Sequence, residues 1–305
     1  MMEQLRAEIG RFLQFTVPTG SINFSTKNVV QKEGYRHALI QYESVDGDVI
    51  PAYLLLPDGD GPFAAVLVHH QHHGQRHWGK SEVCGLVGDP WQTFGPALAR
   101  RGMAVLAPDS ICFEDRRTNQ SGTELHEDDV AQHYNEMCYR LLRGEPLIQK
   151  VLQDSAQGIS ILQALPSIDN QRIGILGHSY GGNTVLFHAA VDERIQFACA
   201  SGAVCSYEHR IAQQTGIEMA SAIPGFTSKF DIPDLVACIA PRPFLTVSAT
   251  DDRFSQDANR VIQLANKKCA AAGISSQITH KRYNGEHALT EERFATIVEW
   301  LAAHE

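Results

Sequence analysis

Residues 177–181 read Gly-His-Ser-Tyr-Gly, which is the pattern G-x-S-x-G. An apolar run around Ile173 precedes them, and a run typical of a helix, 183–190, follows them. This context predicts that Ser179 stands at a tight strand-to-helix turn, with its hydroxyl exposed as a nucleophile. Such a turn has room only for small residues two positions before and after the serine, hence the two glycines. The backbone N–H of Tyr180 should then face the oxygen of an attacked carbonyl group.

A nucleophilic serine needs a histidine that accepts its proton and an acid that orients the histidine. In chains with this motif they follow the serine in the order acid, histidine. The predicted strand 244–249 is followed by two aspartates, and we favour Asp252 over Asp251 because it lies three positions beyond the strand. His287 lies in a glycine-containing loop between the last predicted strand and the last predicted helix. We therefore predict that His287 is the general base.

Residues 69–77 hold five histidines and follow a predicted buried strand at 63–68. We interpret this run as the loop that completes an oxyanion hole, with a backbone N–H from Gln71 or His72 joining that of Tyr180. Which residue of 70–73 supplies it stays open. A histidine-rich run can also bind a metal. Because no carboxylate or cysteine is interleaved, we predict neither a metal nor a cofactor.

The elements that must position these residues follow from the hydrophobic pattern. Two strands, 36–43 and 48–56, are separated by an Asp-Gly turn and predict an antiparallel hairpin. The remaining chain alternates between strands and helices, with strands at 63–68, 103–107, around 173, 195–203, 244–249 and 277–283, and helices at 91–100, 147–165, 257–272 and 291–303. The pattern predicts an α/β fold with a mostly parallel central sheet, the hairpin at its N-terminal side, and helices on both faces.

Two polar segments, 111–144 and 204–229, interrupt the alternation just beyond the carboxyl ends of strands. Ligands bind at that edge of an open parallel sheet. We therefore expect both segments to be cap or pocket insertions in a single domain that spans residues 1–305.

The composition restricts the partners and the location. The chain has 305 residues and a formal net charge of −9, which argues against nucleic acid and against an anionic membrane surface. No apolar run is long enough for a membrane span, and the charged N-terminus does not read as a secretory signal. Seven scattered cysteines without a C-x-x-C pair fit reduced thiols, so we expect a cytoplasmic protein. The oligomeric state is not predicted.

Six segments together resemble the α/β-hydrolase superfamily, and within it the dienelactone-hydrolase-like and acetyl-xylan-esterase-like branch. They are Val66–His72, Gly79–Glu82, Gly102–Asp109, Gly177–Gly182, Asp231–Pro243 and Gly285–His287. The resemblance implies a serine carboxylester hydrolase that acts on small esters, with acetyl esters of sugars as one candidate, and a triad of Ser179, Asp252 and His287. Dienelactone hydrolases use a cysteine nucleophile, so Ser179 favours simple esters. An amidase or peptidase with the same triad, or a silent binding protein of this fold, stays an alternative.

Overall fold

The computed structural model describes residues 1–19, 23–72 and 74–305. Within these residues, nine strands form one sheet in the order β1-β2-β3-β5-β4-β6-β7-β8-β9. The strands are β1 (Phe24–Lys32), β2 (Tyr35–Glu43), β3 (Val49–Pro57), β4 (Phe63–His69), β5 (Ala104–Pro108), β6 (Ile168–His178), β7 (Phe197–Ser201), β8 (Phe244–Ala249) and β9 (Ile278–Tyr283). The helices are α1 (Met2–Phe12), α2 (Lys80–Val83), α3 (Phe94–Ala99), α4 (Asp129–Leu142), α5 (Leu147–Ala164), α6 (Tyr180–Val191), α7 (Tyr207–Ala212), α8 (Ile232–Ile239), α9 (Ala258–Ala271) and α10 (Glu291–Ala302).

The first strands of the sheet are antiparallel and the others are parallel. β1, β2, β3 and β5 pair antiparallel, whereas β5, β4, β6, β7, β8 and β9 pair parallel in that order across the sheet. The predicted hairpin is β2–β3, and Glu43 pairs with Val49 across its turn. Strand β1 was not predicted, because nearly all of its residues are exposed and its sequence lacks an alternating apolar face.

Both faces of the parallel region are buried. In β4, Ala65 and Leu67 point into one apolar core, while Ala64, Val66 and Val68 point into the other. Buried α5, α6 and α8 contribute to the first core, and α3 and α10 contribute to the second. This explains why the parallel strands read as continuous apolar runs. The prediction of an α/β fold with helices on both faces is confirmed.

The predicted helix 91–100 is shorter than expected. A 3-10 turn spans Pro90–Gln92, and α3 starts only at Phe94, so that Pro96 lies in the first helical turn. A proline is tolerated there because the backbone N–H groups of the first turn have no partner within the helix. Among the described residues, none of the helices is both long and apolar enough to cross a membrane.

Candidate active site

Ser179 lies between the end of β6 and the start of α6, with φ 56° and ψ −116°. Its backbone N–H donates to the Ser201 carbonyl oxygen at 2.8 Å, which ties the turn to the neighbouring strand β7. A Cβ atom added to Gly177 would lie 2.2 Å from the carbonyl carbon of Gly181, and one added to Gly181 would lie 2.3 Å from the His69 oxygen. No real Cβ tolerates such contacts with backbone atoms. The tight turn thus accounts for Gly177, whereas Gly181 must be small because the turn packs against the end of β4.

His287 reaches Ser179 from the loop between β9 and α10. Its Nε2 lies 2.8 Å from Ser179 Oγ, and its Nδ1 lies 2.9 Å from Asp252 Oδ1. Because the carboxylate can only accept, we assign the proton of the neutral ring to Nδ1. Nε2 is then free to accept a proton from the serine hydroxyl.

Asp252 is almost completely buried, with a side chain 1% exposed. Besides His287, its carboxylate accepts from the Phe254 N–H at 2.9 Å and from Ser255 Oγ at 2.6 Å. Burial by itself would raise the pKa of Asp252, but the contact with His287 and the other hydrogen bonds lower it below its usual value. Asp251 is exposed, and its carboxylate accepts from Thr250 Oγ1 at 3.1 Å. Of the two candidate acids, the structure thus brings Asp252 to the histidine.

Arg293 holds the histidine loop and was not predicted. Its guanidinium is buried and donates to three carbonyl oxygens on both sides of His287, those of Asn284, Glu286 and Ala288, at 2.6–2.9 Å. Because the loop is fixed at three points, the imidazole is oriented before the reaction, and no entropy is lost in ordering it at each turnover. The sequence offers little sign of this role, since Arg293 simply follows two glutamates in the last helix.

The loop after β4 contacts the nucleophile turn, and its described residues have different orientations. The Gln71 side chain is buried and donates to Glu82 Oε1 at 3.1 Å. The His72 side chain lines the cavity beside Ser179 and Tyr180, and its Nε2 is paired with Glu218 Oε2. His73, which belongs to the predicted 70–73 donor range, lies outside the described residues.

The other described histidines of this run contact separate partners. His69 Nε2 lies 2.7 Å from Ser155 Oγ, His70 Nε2 accepts from the Ser110 N–H at 3.1 Å, and His77 faces Asp129. Their rings therefore do not converge on one point. Burial lowers the pKa of His70 to about 4, so this ring is neutral in the folded protein.

Three carboxylates, Asp109, Glu114 and Asp115, lie close enough together to suggest a cation site in the described part of the chain. The buried ammonium group of Lys80 already stands among them, 2.5–2.8 Å from one oxygen of each. Burial alone would lower the pKa of Lys80, but the charges of Asp109 and Glu114 outweigh it and raise that pKa. This cluster therefore connects α2 to the segment after β5.

A cavity of about 650 Å³ opens at Ser179 and His287. From the segment 204–229 it is lined by Arg210 and by residues 216–218. No described residue of 111–144 lines it, which corrects the expectation for that segment. Within 111–144, the Phe113 ring packs against Tyr180, with the ring centroids 5.1 Å apart.

The fold and this site define an α/β-hydrolase with a serine nucleophile turn. Residues 22–222 match the model of the family "Acetyl xylan esterase (AXE1)". The match covers about two thirds of the sequence, and the chain belongs to this family. It is thus a serine carboxylester hydrolase, as predicted.

Individual relatives are similar over most of the chain. A protein of Bacillus subtilis (strain 168) named "Putative hydrolase YtaP" is 27% identical over 262 residues, which cover 84% of this chain and 83% of that protein. A crystal structure described as "a putative acetyl xylan esterase" from Bacteroides fragilis NCTC 9343 superimposes with a TM-score of 0.77 at 18% identity, covering 99% of this chain and 86% of the other. A glucuronoyl esterase from Solibacter usitatus gives a TM-score of 0.66 at 12% identity, covering 98% and 91%. At these identities the two structures establish the fold.

Proposed function

We propose that this protein hydrolyses acetyl esters of sugars, with Ser179 as nucleophile, His287 as general base and Asp252 as the acid that orients the histidine. The observation that carries the proposal is the hydrogen-bonded chain Ser179–His287–Asp252 at a cavity wide enough for a small ester. The family's name and the sugar-ester names of the structural relatives support the choice of substrate.

The reaction follows from the positions of the donors and acceptors. Ser179 Oγ attacks the ester carbonyl carbon while its proton passes to His287 Nε2. The tetrahedral oxyanion is stabilised by the N–H of Tyr180 and by an N–H of the loop 70–73, for which His72 is our candidate because it lines the cavity. His287 returns the proton to the leaving alcohol, and an acyl-enzyme remains on Ser179.

Water completes the cycle through the same groups. His287 removes a proton from a water molecule, whose oxygen attacks the acyl carbon and forms a second tetrahedral intermediate. The ester bond to Ser179 breaks, the serine regains its proton from His287, and the carboxylic acid leaves. During both proton transfers the buried Asp252 carboxylate stabilises the imidazolium form of His287.

The test compares Ser179→Ala with Ser228→Ala, a substitution of an exposed serine in the segment 204–229. Both are assayed with p-nitrophenyl acetate and with monoacetylated xylose. We expect Ser179→Ala to lose at least about 10³-fold in kcat and to resist labelling by a fluorophosphonate, because the nucleophile is gone. Ser228→Ala should match the wild type. Unchanged turnover by Ser179→Ala would refute the proposal, and faster cleavage of aryl amides than of aryl esters would favour an amidase.

We also propose that residues 1–305 form a single domain whose pocket insertion is 204–229, supported by a sheet that draws strands from residue 24 to residue 283. A cytoplasmic location is a further proposal. It is supported by the seven cysteines, which are all free and of which six are buried.

A further inference from the structure

The peptide group between Gln71 and His72 is held from one side by the ring of His70. Nδ1 of His70 lies 2.8 Å from the Gln71 carbonyl oxygen, and Nε2 lies 3.1 Å from the backbone nitrogen of Ser110. Because a backbone N–H can only donate, Nε2 carries no proton, and the proton of the neutral ring is on Nδ1. The His70 ring therefore donates a hydrogen bond to the Gln71 carbonyl oxygen.

The direction of this carbonyl group sets the direction of the next backbone N–H. In a planar trans peptide the C=O and the N–H point in opposite directions. The Gln71 carbonyl group points at the His70 ring, so the His72 N–H points away from that ring. Within the described residues, this N–H donates to no carbonyl oxygen, and His72 lines the cavity at Ser179. It is therefore available to a substrate oxygen.

The preceding peptide group has the opposite orientation. The carbonyl oxygen of His70 lies against the nucleophile turn, 2.9 Å from the position that a Cβ on Gly181 would take. The N–H of the same peptide group, which belongs to Gln71, therefore points away from the turn. Of the two donors that the sequence left open, this geometry favours His72.

We propose that His70 is a positioning residue, whose ring aims the His72 N–H at the carbonyl oxygen of the bound ester. The ring itself contacts no substrate, because His70 is 1% exposed and packs against the rings of Phe113 and Tyr180, with centroids 4.8 and 5.9 Å away. The inference rests on the proposed esterase function, and it assigns both the second oxyanion donor and the group that orients it.

The role of the oriented N–H follows from the charge that develops during attack. As Ser179 Oγ bonds to the carbonyl carbon, its proton passes to His287 Nε2, and the electron pair of the C=O π bond moves to the oxygen. An N–H that is already aimed at this oxygen stabilises the new negative charge without reorganisation at the moment of reaction. A misaimed N–H should therefore slow the chemical step and leave ground-state binding of the ester nearly unchanged.

Two substitutions separate the hydrogen bond from the packing of the ring. His70→Leu removes the donor and keeps a buried apolar side chain. In His70→Asn the NH₂ group can stand near the position of Nδ1 and still donate to Gln71. With p-nitrophenyl acetate we expect His70→Leu to lose about 10- to 100-fold in kcat with KM within about 3-fold of the wild type. His70→Asn loses only the Ser110 contact and should stay within about 5-fold.

A second readout reports on the oxyanion donors alone. The carbonyl carbon of 1,1,1-trifluoroacetone adds Ser179 Oγ and gives an ionised hemiketal that resembles the tetrahedral intermediate. In His70→Leu its Ki should rise by the same factor as kcat/KM falls. The matched control is His37→Leu, which replaces another buried histidine, in β2, that does not line the cavity, and it should change neither value.

Each outcome decides the matter. A parallel change of Ki and kcat/KM in His70→Leu that is largely absent in His70→Asn supports the inference. Equal losses in both variants, a fall in kcat/KM with an unchanged Ki, or no loss in His70→Leu overturns it.

A measurement on the wild-type protein covers the case in which the variants do not fold. ¹H–¹⁵N NMR spectra of the histidine rings should show the His70 proton on Nδ1, and a proton on Nε2 would overturn the inference. Failure of the esterase proposal itself would look different: trifluoroacetone would not inhibit the wild type, and Ser179→Ala would keep its activity on p-nitrophenyl acetate.

Discussion

Replacing Asp252 by asparagine tests the hydrogen-bond pattern at the acid of the proposed triad. Oδ1 of Asp252 accepts from His287 and from the Phe254 N–H, and Oδ2 accepts from the Ser255 hydroxyl. The Phe254 N–H can only donate, so the asparagine oxygen should remain at the position of Oδ1. The Ser255 hydroxyl can rotate and accept from the new NH₂ group. His287 therefore keeps its proton on Nδ1, and the variant loses only the negative charge.

The size of the loss follows from that charge. Two unit charges about 4 Å apart interact by about 4 kcal/mol at an effective dielectric constant of about 20. A neutral amide keeps a hydrogen bond worth about 1 kcal/mol. The imidazolium ion that forms in the transition state thus loses about 3 kcal/mol, which corresponds to a fall in kcat/KM of about 100-fold.

The assay is the steady-state hydrolysis of p-nitrophenyl acetate by Asp252→Asn and by its matched control, Asp251→Asn. Asp251 is exposed and its carboxylate accepts from Thr250 Oγ1 rather than from His287, so the control should stay within about 2-fold of the wild type. If Asp252→Asn keeps a third or more of the activity, or if Asp251→Asn loses as much, the assignment of the acid is refuted. A loss of about 10⁴-fold would mean that the amide flips and moves the histidine proton to Nε2, which would contradict the reasoning from Phe254.

Three further outcomes concern stability and are measured by urea unfolding. Gly181→Ala places a Cβ 2.3 Å from a backbone oxygen and should lower the free energy of unfolding by about 3 kcal/mol or more. The control is Gly10→Ala in helix α1, where a Cβ meets open space. It should raise the free energy of unfolding by about 0.5–1 kcal/mol. Lys80→Met leaves buried carboxylates without their cation and should cost about 3–5 kcal/mol; full stability would contradict the ion cluster. Burial, reinforced by the charge of Arg76, lowers the pKa of His133 to about 3. In the unfolded chain His133 takes up a proton below about pH 6.5, whereas in the folded protein it stays neutral. The free energy of unfolding should therefore keep its full value above that pH and decrease as the pH drops toward 3. His133→Gln should flatten this dependence, and an unchanged slope would contradict it.

The local sequence was sufficient to predict the strand–turn–helix around Ser179 and the order of the triad that we propose. A G-x-S-x-G pattern between an apolar strand and a helix is a short-range feature, because a Cβ on Gly177 would meet the backbone of Gly181 only four positions away. Asp252 and His287 were predicted because each follows a strand, and parallel strands bring their carboxyl ends to one edge. The alternation of strands and helices gave the fold class for the same reason. Strand β1 was not predicted, because a strand whose residues are nearly all exposed shows no alternation of apolar and polar residues.

The tertiary structure decided which distant side chains meet around that turn. His72 and Glu218 are 146 positions apart, and Lys80 meets Glu114 across 34 positions, so no spacing along the chain predicts either pair. The segments 111–144 and 204–229 look alike as polar insertions, yet only the second lines the cavity. Phe113 of the first packs against the Tyr180 ring, whereas Arg210 of the second lines the cavity. Sequence alone therefore predicted the proposed triad, because each member follows a strand end, while packing determined which residues line the cavity beside it.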